Sequence, residues 1–223
     1  MKHWSLSLLA LVFFGGMALS HLSKGWRGLS ALALETKVAA SRIASGDDVI
    51  QMDGIRLETL VPERVLTIPI NEQGAYTPVR FGVRITNKTP KPLYFNQSSF
   101  KPELIRLNGE VIPLGLLQIS IVLLREFDFP LVMPQETVTL FWEGKLYWGN
   151  NELQLQLPDR YSRLWYFQGF QPSIYKIRFT YAFSSADASR GYFDSQSREI
   201  RQLQGALTGT LSSPWAEFSL GRP

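Results

Sequence analysis

The sequence predicts an all-β chain, an antiparallel β-sandwich of about nine strands preceded by an N-terminal segment of different character. Three observations carry this expectation. Beyond Gly54, apolar and polar residues alternate in short runs; Pro, Gly and Asn separate those runs; and only residues 28–46 show helical spacing outside the first 20.

Residues 1–20, "MKHWSLSLLALVFFGGMALS", have a basic start at Lys2, an apolar run from Leu6 to Phe14 and small residues at Ala18 and Ser20. That is the layout of a signal peptide cut after Ser20. The uncharged run over residues 4–20 is slightly short for a bilayer span, so an uncleaved membrane anchor is the second reading. Either implies an exported body, periplasmic or extracellular. Residues 21–53 read as a helical linker or N-terminal helix, with Leu29, Leu32, Thr36, Ala39, Ala40 and Ile43 near one face and a second Ala-x-Ala at Ala31 to Ala33. Residues 54–223 form the β-domain. With 45% hydrophobic and 13% aromatic residues the chain can fill one core, and with no cysteine it must do so without disulfides. Its 19% charged residues are of mixed sign with a net +4, too little and too dispersed for a nucleic-acid surface.

Taken in order, Ile55, Leu57 and Thr59 share one face of a first strand, and Val65 to Ile70 resume after Pro62. Val79, Phe81, Val83 and Ile85 alternate with Arg80, Gly82, Arg84 and Thr86, the pattern of a half-buried strand. "TNKTPKP" stops it, because Pro90 and Pro92 cannot donate to a ladder, and Leu93 to Phe95 start the next strand. Asn108-Gly109 between apolar runs predicts a hairpin with a type I′ turn. "LGLLQISIVLL", Leu114 to Leu124, reads as a fully buried strand, extended by Phe127, Phe129, Leu131, Val132 and Met133; an exposed partner patch is the other reading. "ETVTLFW", "ELQLQLP" and "SIYKIRFTYAF" are amphipathic strands, the last with Tyr175, Ile177, Phe179, Tyr181 and Phe183 inward. A polar excursion over residues 184–204, with a short helix near Ser197 to Leu203 as one reading, precedes a closing strand in "GTLSSPWAEFSL".

"FGVRITNKTPKPLYF", "MPQETVTL", "FQPSIYKIRFTY" and "GTLSSPWAEFSL", spread over residues 55 to 220, resemble the strand series of immunoglobulin-like sandwich domains of exported bacterial proteins. The resemblance implies binding, spacing or inhibition rather than catalysis. The antibody-type cysteine pair is missing, so no particular subfamily is implied.

The chemistry that remains is narrow. The two histidines, His3 and His21, lie in or beside the leader, so the β-domain has neither histidine nor cysteine for a hydrolytic triad, a zinc site or a proton shuttle near neutrality. Asp47, Asp48 and Asp53 match no calcium loop, and Glu136, Glu143, Glu152 and Asp159 offer carboxylates without a motif for glycoside hydrolysis. No enzyme activity, cofactor or metal is therefore expected. The Asn-x-Ser/Thr triplets at Asn87 and Asn96 are read as chance in a chain of bacterial layout.

Binding is expected from two places. Within "LFWEGKLYWGNN" and "PDRYSRLWYFQGF", Trp148 beside Gly149 and Tyr161 in a turn are the rings expected to be exposed, with Arg163 on their rim. The excursion adds Arg190, Tyr192, Arg198 and Arg201 as a recognition loop. The leading expectation is a non-enzymatic exported module that binds a protein or envelope partner through end loops. The alternatives are a carbohydrate-binding module using Trp and Tyr and, through the resemblance alone, a protease inhibitor.

Overall fold

The computed structural model describes residues 50–222 except Asp53, residues 119–122, Arg160 and Ser162, so the expected leader and nearly all of the expected helical linker lie outside the described residues. In chain order the strands are β1 (Ile50–Met52), β2 (Ile55–Leu60), β3 (Val65–Thr67), β4 (Tyr76–Asn87), β5 (Leu93–Tyr94) and β6 (Phe100–Arg106). There follow β7 (Val111–Ile112), β8 (Gly115–Gln118), β9 (Leu131–Val132), β10 (Thr137–Gly149), β11 (Glu152–Pro158) and β12 (Arg163–Phe170). The last are β13 (Ser173–Phe183), β14 (Tyr192–Asp194), β15 (Glu199–Arg201), β16 (Gly209–Ser212) and β17 (Ala216–Gly221), and the α-helix found among the described residues, α1 (Ser185–Arg190), lies before β14.

Seven strands form an antiparallel sheet in the order β1-β2-β4-β10-β11-β12-β8. A second sheet runs β3-β17-β13-β6-β7 with β16 also on β13, antiparallel except where β3 joins β17. Two small ladders, β5-β9 and β14-β15, stand outside these sheets. Alternation along β4 turns Val79, Phe81, Val83 and Ile85 inward, and alternation along β13 does the same for Tyr175, Ile177, Phe179, Tyr181 and Phe183. The inner faces meet as a sandwich: Phe81 packs on Phe218 with ring centres 5.1 Å apart, and Trp142 stacks on Phe179 at 4.5 Å. One buried polar contact also crosses it. Thr59 of β2 gives its hydroxyl proton to Pro214 O, so Ser213 Oγ, 2.6 Å away, donates to Thr59 and accepts from Phe179 N at 2.9 Å.

The all-β expectation holds, and the differences from the sequence reading have local causes. Among the described residues there are seventeen strand segments where about nine were expected, because segments of two to four residues are too short to show a period. The closing strand is two strands, β16 and β17, split at Ser213, and both pair with β13. In place of a helix near Ser197, the excursion has its helix earlier, at α1, and then the β14-β15 hairpin.

The Asn108-Gly109 hairpin joins β6 to β7 as expected, but its turn is not type I′. Gly109 is left-handed at φ +86°, Asn108 is not, and Gly109 N donates to Arg106 O at 2.9 Å: a type I turn followed by a glycine bulge. Asn108 Oδ1 accepts from Glu110 N at 3.0 Å, which holds this form. The I′ geometry occurs instead between β10 and β11, where Asn150 (φ +52°) and Asn151 (φ +62°) form a two-residue loop flanked by the Gly149 and Glu152 pair.

The largest correction concerns Leu114 to Leu124. Its described strand, β8, is not a buried central strand but the last strand of the seven-stranded sheet, and Leu116 and Leu117 are 51% and 53% exposed. An uncharged run looks the same in sequence whether its second edge is covered or bare.

Candidate functional site

Trp148 is half-buried rather than exposed. Its indole Nε1 donates to Pro69 O at 2.8 Å and its ring packs against the core, tying the end of β10 to the chain after β3. Tyr161 is also buried, because Asp159 gathers the turn around itself: Asp159 Oδ1 accepts from the amides of Tyr161 and Arg163, both at 2.9 Å, and Oδ2 accepts from Arg163 Nε at 2.6 Å. The Arg163 guanidinium donates on to Ser98 O at 2.7 Å and lies 5.6 Å from the Tyr161 ring centre. These two residues do come together, as scaffold. Turn residues beside an aromatic ring do not reveal in sequence which way the ring folds.

The remaining candidates lie on the excursion. Arg190 pairs with Asp187 at 3.4 Å, Tyr192 packs on Phe129 with ring centres 6.1 Å apart, and Arg201 Nε meets Asp194 at 2.8 Å. Arg198 takes the left-handed turn position of the β14-β15 hairpin at φ +58°, its amide donating to Asp194 O at 2.8 Å. Tyr192 and Arg201 are cross-strand partners, so the structure unites three of the four on one hairpin.

This hairpin is held by Asp194 in its charged form. The amide of Gln196 donates to Oδ1 at 2.9 Å and Ser197 Oγ to Oδ2 at 2.9 Å, and these bonds hold the carboxyl below its ordinary value of 3.8. Ser184 Oγ does the same for Asp187 at the start of α1. A depressed folded value means that the contribution is full above 3.8 and is lost as pH falls through the lower folded value. The Gln196 amide proton is therefore expected to titrate in NMR with a midpoint below that of a free aspartate. A midpoint at the ordinary value would remove the turn's electrostatic role.

A different surface has the shape of a binding site. On the outer face of the seven-stranded sheet lies an open groove of about 870 Å³, lined by Glu63, Gly74, Tyr76, Pro78, Arg80, Glu143, Lys145, Gln156, Pro158 and Leu164 among others. Sheet order builds it: Arg80 stands opposite Glu143, Pro78 opposite Lys145, Lys145 opposite Gln156, and Pro158 opposite Leu164. Inward alternation of Val79, Trp142, Leu155 and Leu157 leaves these side chains outside.

Its polar groups are held in place. Tyr147, paired with the exposed Tyr76 at one end, donates its hydroxyl to Gln154 Oε1 at 2.9 Å and accepts from Gln156 Nε2. Burial pushes the Tyr147 phenol above its ordinary value, which keeps that proton in place. Lys145 Nζ lies 4.8 Å from the Tyr147 ring centre, and Arg80 lies 3.8 Å over Phe141 and 3.7 Å from Glu143. Among the lining residues Glu63 and Glu143 balance Arg80 and Lys145, so the groove has no net charge. Sequence reasoning missed this face because its residues come from four strands and look individually like an ordinary solvated side. The outward pair Lys145 and Tyr147 was the available signal.

No protein-family model matches the chain, and neither a curated protein nor a solved structure was found to be similar to it.

Proposed function

We propose that the chain is a non-enzymatic, exported, immunoglobulin-like binding module whose outer sheet face takes a neutral carbohydrate chain. One observation carries the reading: the charge-balanced groove brings a 59% exposed Tyr76 ring together with Lys145 and Gln156, the latter bonded to the hydroxyl of the adjoining Tyr147. A flat ring stacks on the apolar face of a sugar while amide and ammonium groups bond its hydroxyls. A phosphate or nucleic acid would need a surplus of positive charge that the groove does not have.

Affinity electrophoresis through gels containing neutral polysaccharides tests this. Tyr76→Ala and Lys145→Ala are each expected to weaken retention about tenfold on the polysaccharide that retards the parent chain. Unchanged retention in both folded variants would overturn the groove as the site.

A protein partner at the excursion is the second reading, favoured by the exposure of Ile200 (60%) and Phe127 (63%) on segments joined by the Arg125–Phe193 bridge. Capture of a specific envelope protein that Ile200→Asp abolishes would support it. Protease inhibition rests on the resemblance alone.

A further inference from the structure

We propose that two copies of this chain pair face to face through the outer surface of the second sheet, about a two-fold axis. Strand register builds an apolar band there. Val65 of β3 stands opposite Ser219 of β17, which stands opposite Ile174 of β13; on the next rung, Ile105 of β6 stands between Lys176 of β13 and Val111 of β7. Residues opposite each other share a face, and the inner face of these strands is taken by Leu66, Leu220, Tyr175, Leu104 and Ile112. The band therefore points outward, with Val65 71%, Val111 67% and Ile174 40% exposed. β-branched apolar side chains left bare on three strands of one face mark a surface that gains by being covered.

The face suits an identical partner. Charges at its middle are already matched inside the chain: Lys176 Nζ lies 3.2 Å from Glu217, and Arg178, 4.4 Å over the Trp215 ring, meets Glu103 at 2.7 Å. A strongly charged partner is therefore not selected, and a second copy is not repelled. An axis lying in the face along the rung from Val65 to Ile174 sets Ile174 over Ile174 and Val65 over Val65, with the two sheets about 10 Å apart as in a sandwich. Each strand residue covers about 16 Å² of a sheet, so the six strands, about 30 residues, offer roughly 500 Å² and two copies roughly 1,000 Å², the lower bound of a specific interface. Such a pair is reversible. It leaves the groove free, because the groove lies on the outer face of the other sheet.

Sedimentation equilibrium of the full chain tests this. The parent is expected to form a reversible dimer of twice the 25.3 kDa chain mass, with a dissociation constant of about 1–50 μM. Ile174→Lys and Ile174→Glu should each raise that constant about tenfold or more, because each sets like charges against one another across the axis. An equimolar mixture of the two should pair at least as tightly as the parent, a recovery that misfolded variants would not give. Thr139→Glu, exposed on the outer face of the other sheet, should leave the constant unchanged. A parent that stays monomeric at about 200 μM, a dimer indifferent to both Ile174 variants, or a mixture that fails to pair would each overturn the proposal. A foreign protein on this face in place of the second copy would give the first of these results.

Discussion

Trp142→Ala is expected to lower the free energy of unfolding by about 3–5 kcal/mol, the largest loss from any single side chain in the sandwich core. Trp142 is 7% exposed and joins both sheets. From β10 its ring stacks on Phe179 of β13 at 4.5 Å and 16°, and its centre lies 6.0 Å from Trp165 of β12 and 6.1 Å from Phe100 of β6. Truncation removes the transfer contribution of an indole and leaves a cavity between layers that backbone pairing holds apart. The cost therefore falls at the high end of the large-to-small range. Trp142→Phe should recover more than half of the loss, and Thr139→Ala, exposed on the outer face of the same strand, should stay within about 0.5 kcal/mol. Urea denaturation followed by far-UV circular dichroism measures all three. A loss below about 1 kcal/mol for the alanine variant would mean that the sheets are not joined at this ring.

What sequence could foretell tracks the range of the interactions involved. β4 and β13 were legible because each buries one face over its whole length, and a period of two survives 12 and 11 residues. β5 and β7 were legible only through the breakers beside them, Pro90 and Pro92 before one and Asn108-Gly109 before the other, whereas β9 was not, because two residues inside a long apolar run have no period. The fate of Leu116 and Leu117 depends on whether anything lies beyond β8, a property of sheet order that a local run does not encode. The groove was illegible for the same reason. Pro78, Lys145, Pro158 and Leu164 line one groove only once β4, β10, β11 and β12 are placed side by side. The exposure expected for Trp148 and Tyr161 failed on contacts of a different kind, a distant carbonyl at Pro69 and a buried carboxylate at Asp159. The triplets at Asn87 and Asn96 turn out to be local structure. In each, the Asn Oδ1 accepts both the amide and the hydroxyl of the Ser or Thr two residues on, which is how an Asx turn uses that spacing.

Asn87 carries the second large effect. It ends β4 with no exposed surface, and all four bonding positions of its amide are filled: Nδ2 donates to Lys91 O at 2.8 Å and Val132 O at 2.9 Å, and Oδ1 accepts from Thr89 N at 2.9 Å and Thr89 Oγ1 at 2.7 Å. Its backbone closes the other side, Asn87 N donating to Glu136 O at 3.0 Å and Gln135 N to Asn87 O at 2.6 Å. One side chain thus fixes the turn after β4, the β9 segment and the approach to β10. Asn87→Ala removes the four bonds and leaves buried carbonyls without their donor, a loss of about 3–4 kcal/mol when each net bond is about 1 and an orphaned group costs 1–3. Asn87→Asp separates the hydrogen-bond argument from the volume argument. The carboxylate has the same shape and keeps both acceptor bonds, yet it turns two donors into a negative oxygen facing Lys91 O and Val132 O. At neutral pH it should destabilise at least as much as alanine, and protonation should restore one donor as pH falls. In the linkage this variant's folded value is raised, so its deficit is present above that value and shrinks below it. Denaturation of both variants across pH decides the matter: an aspartate variant as stable as the parent at neutral pH would show that the donors are dispensable.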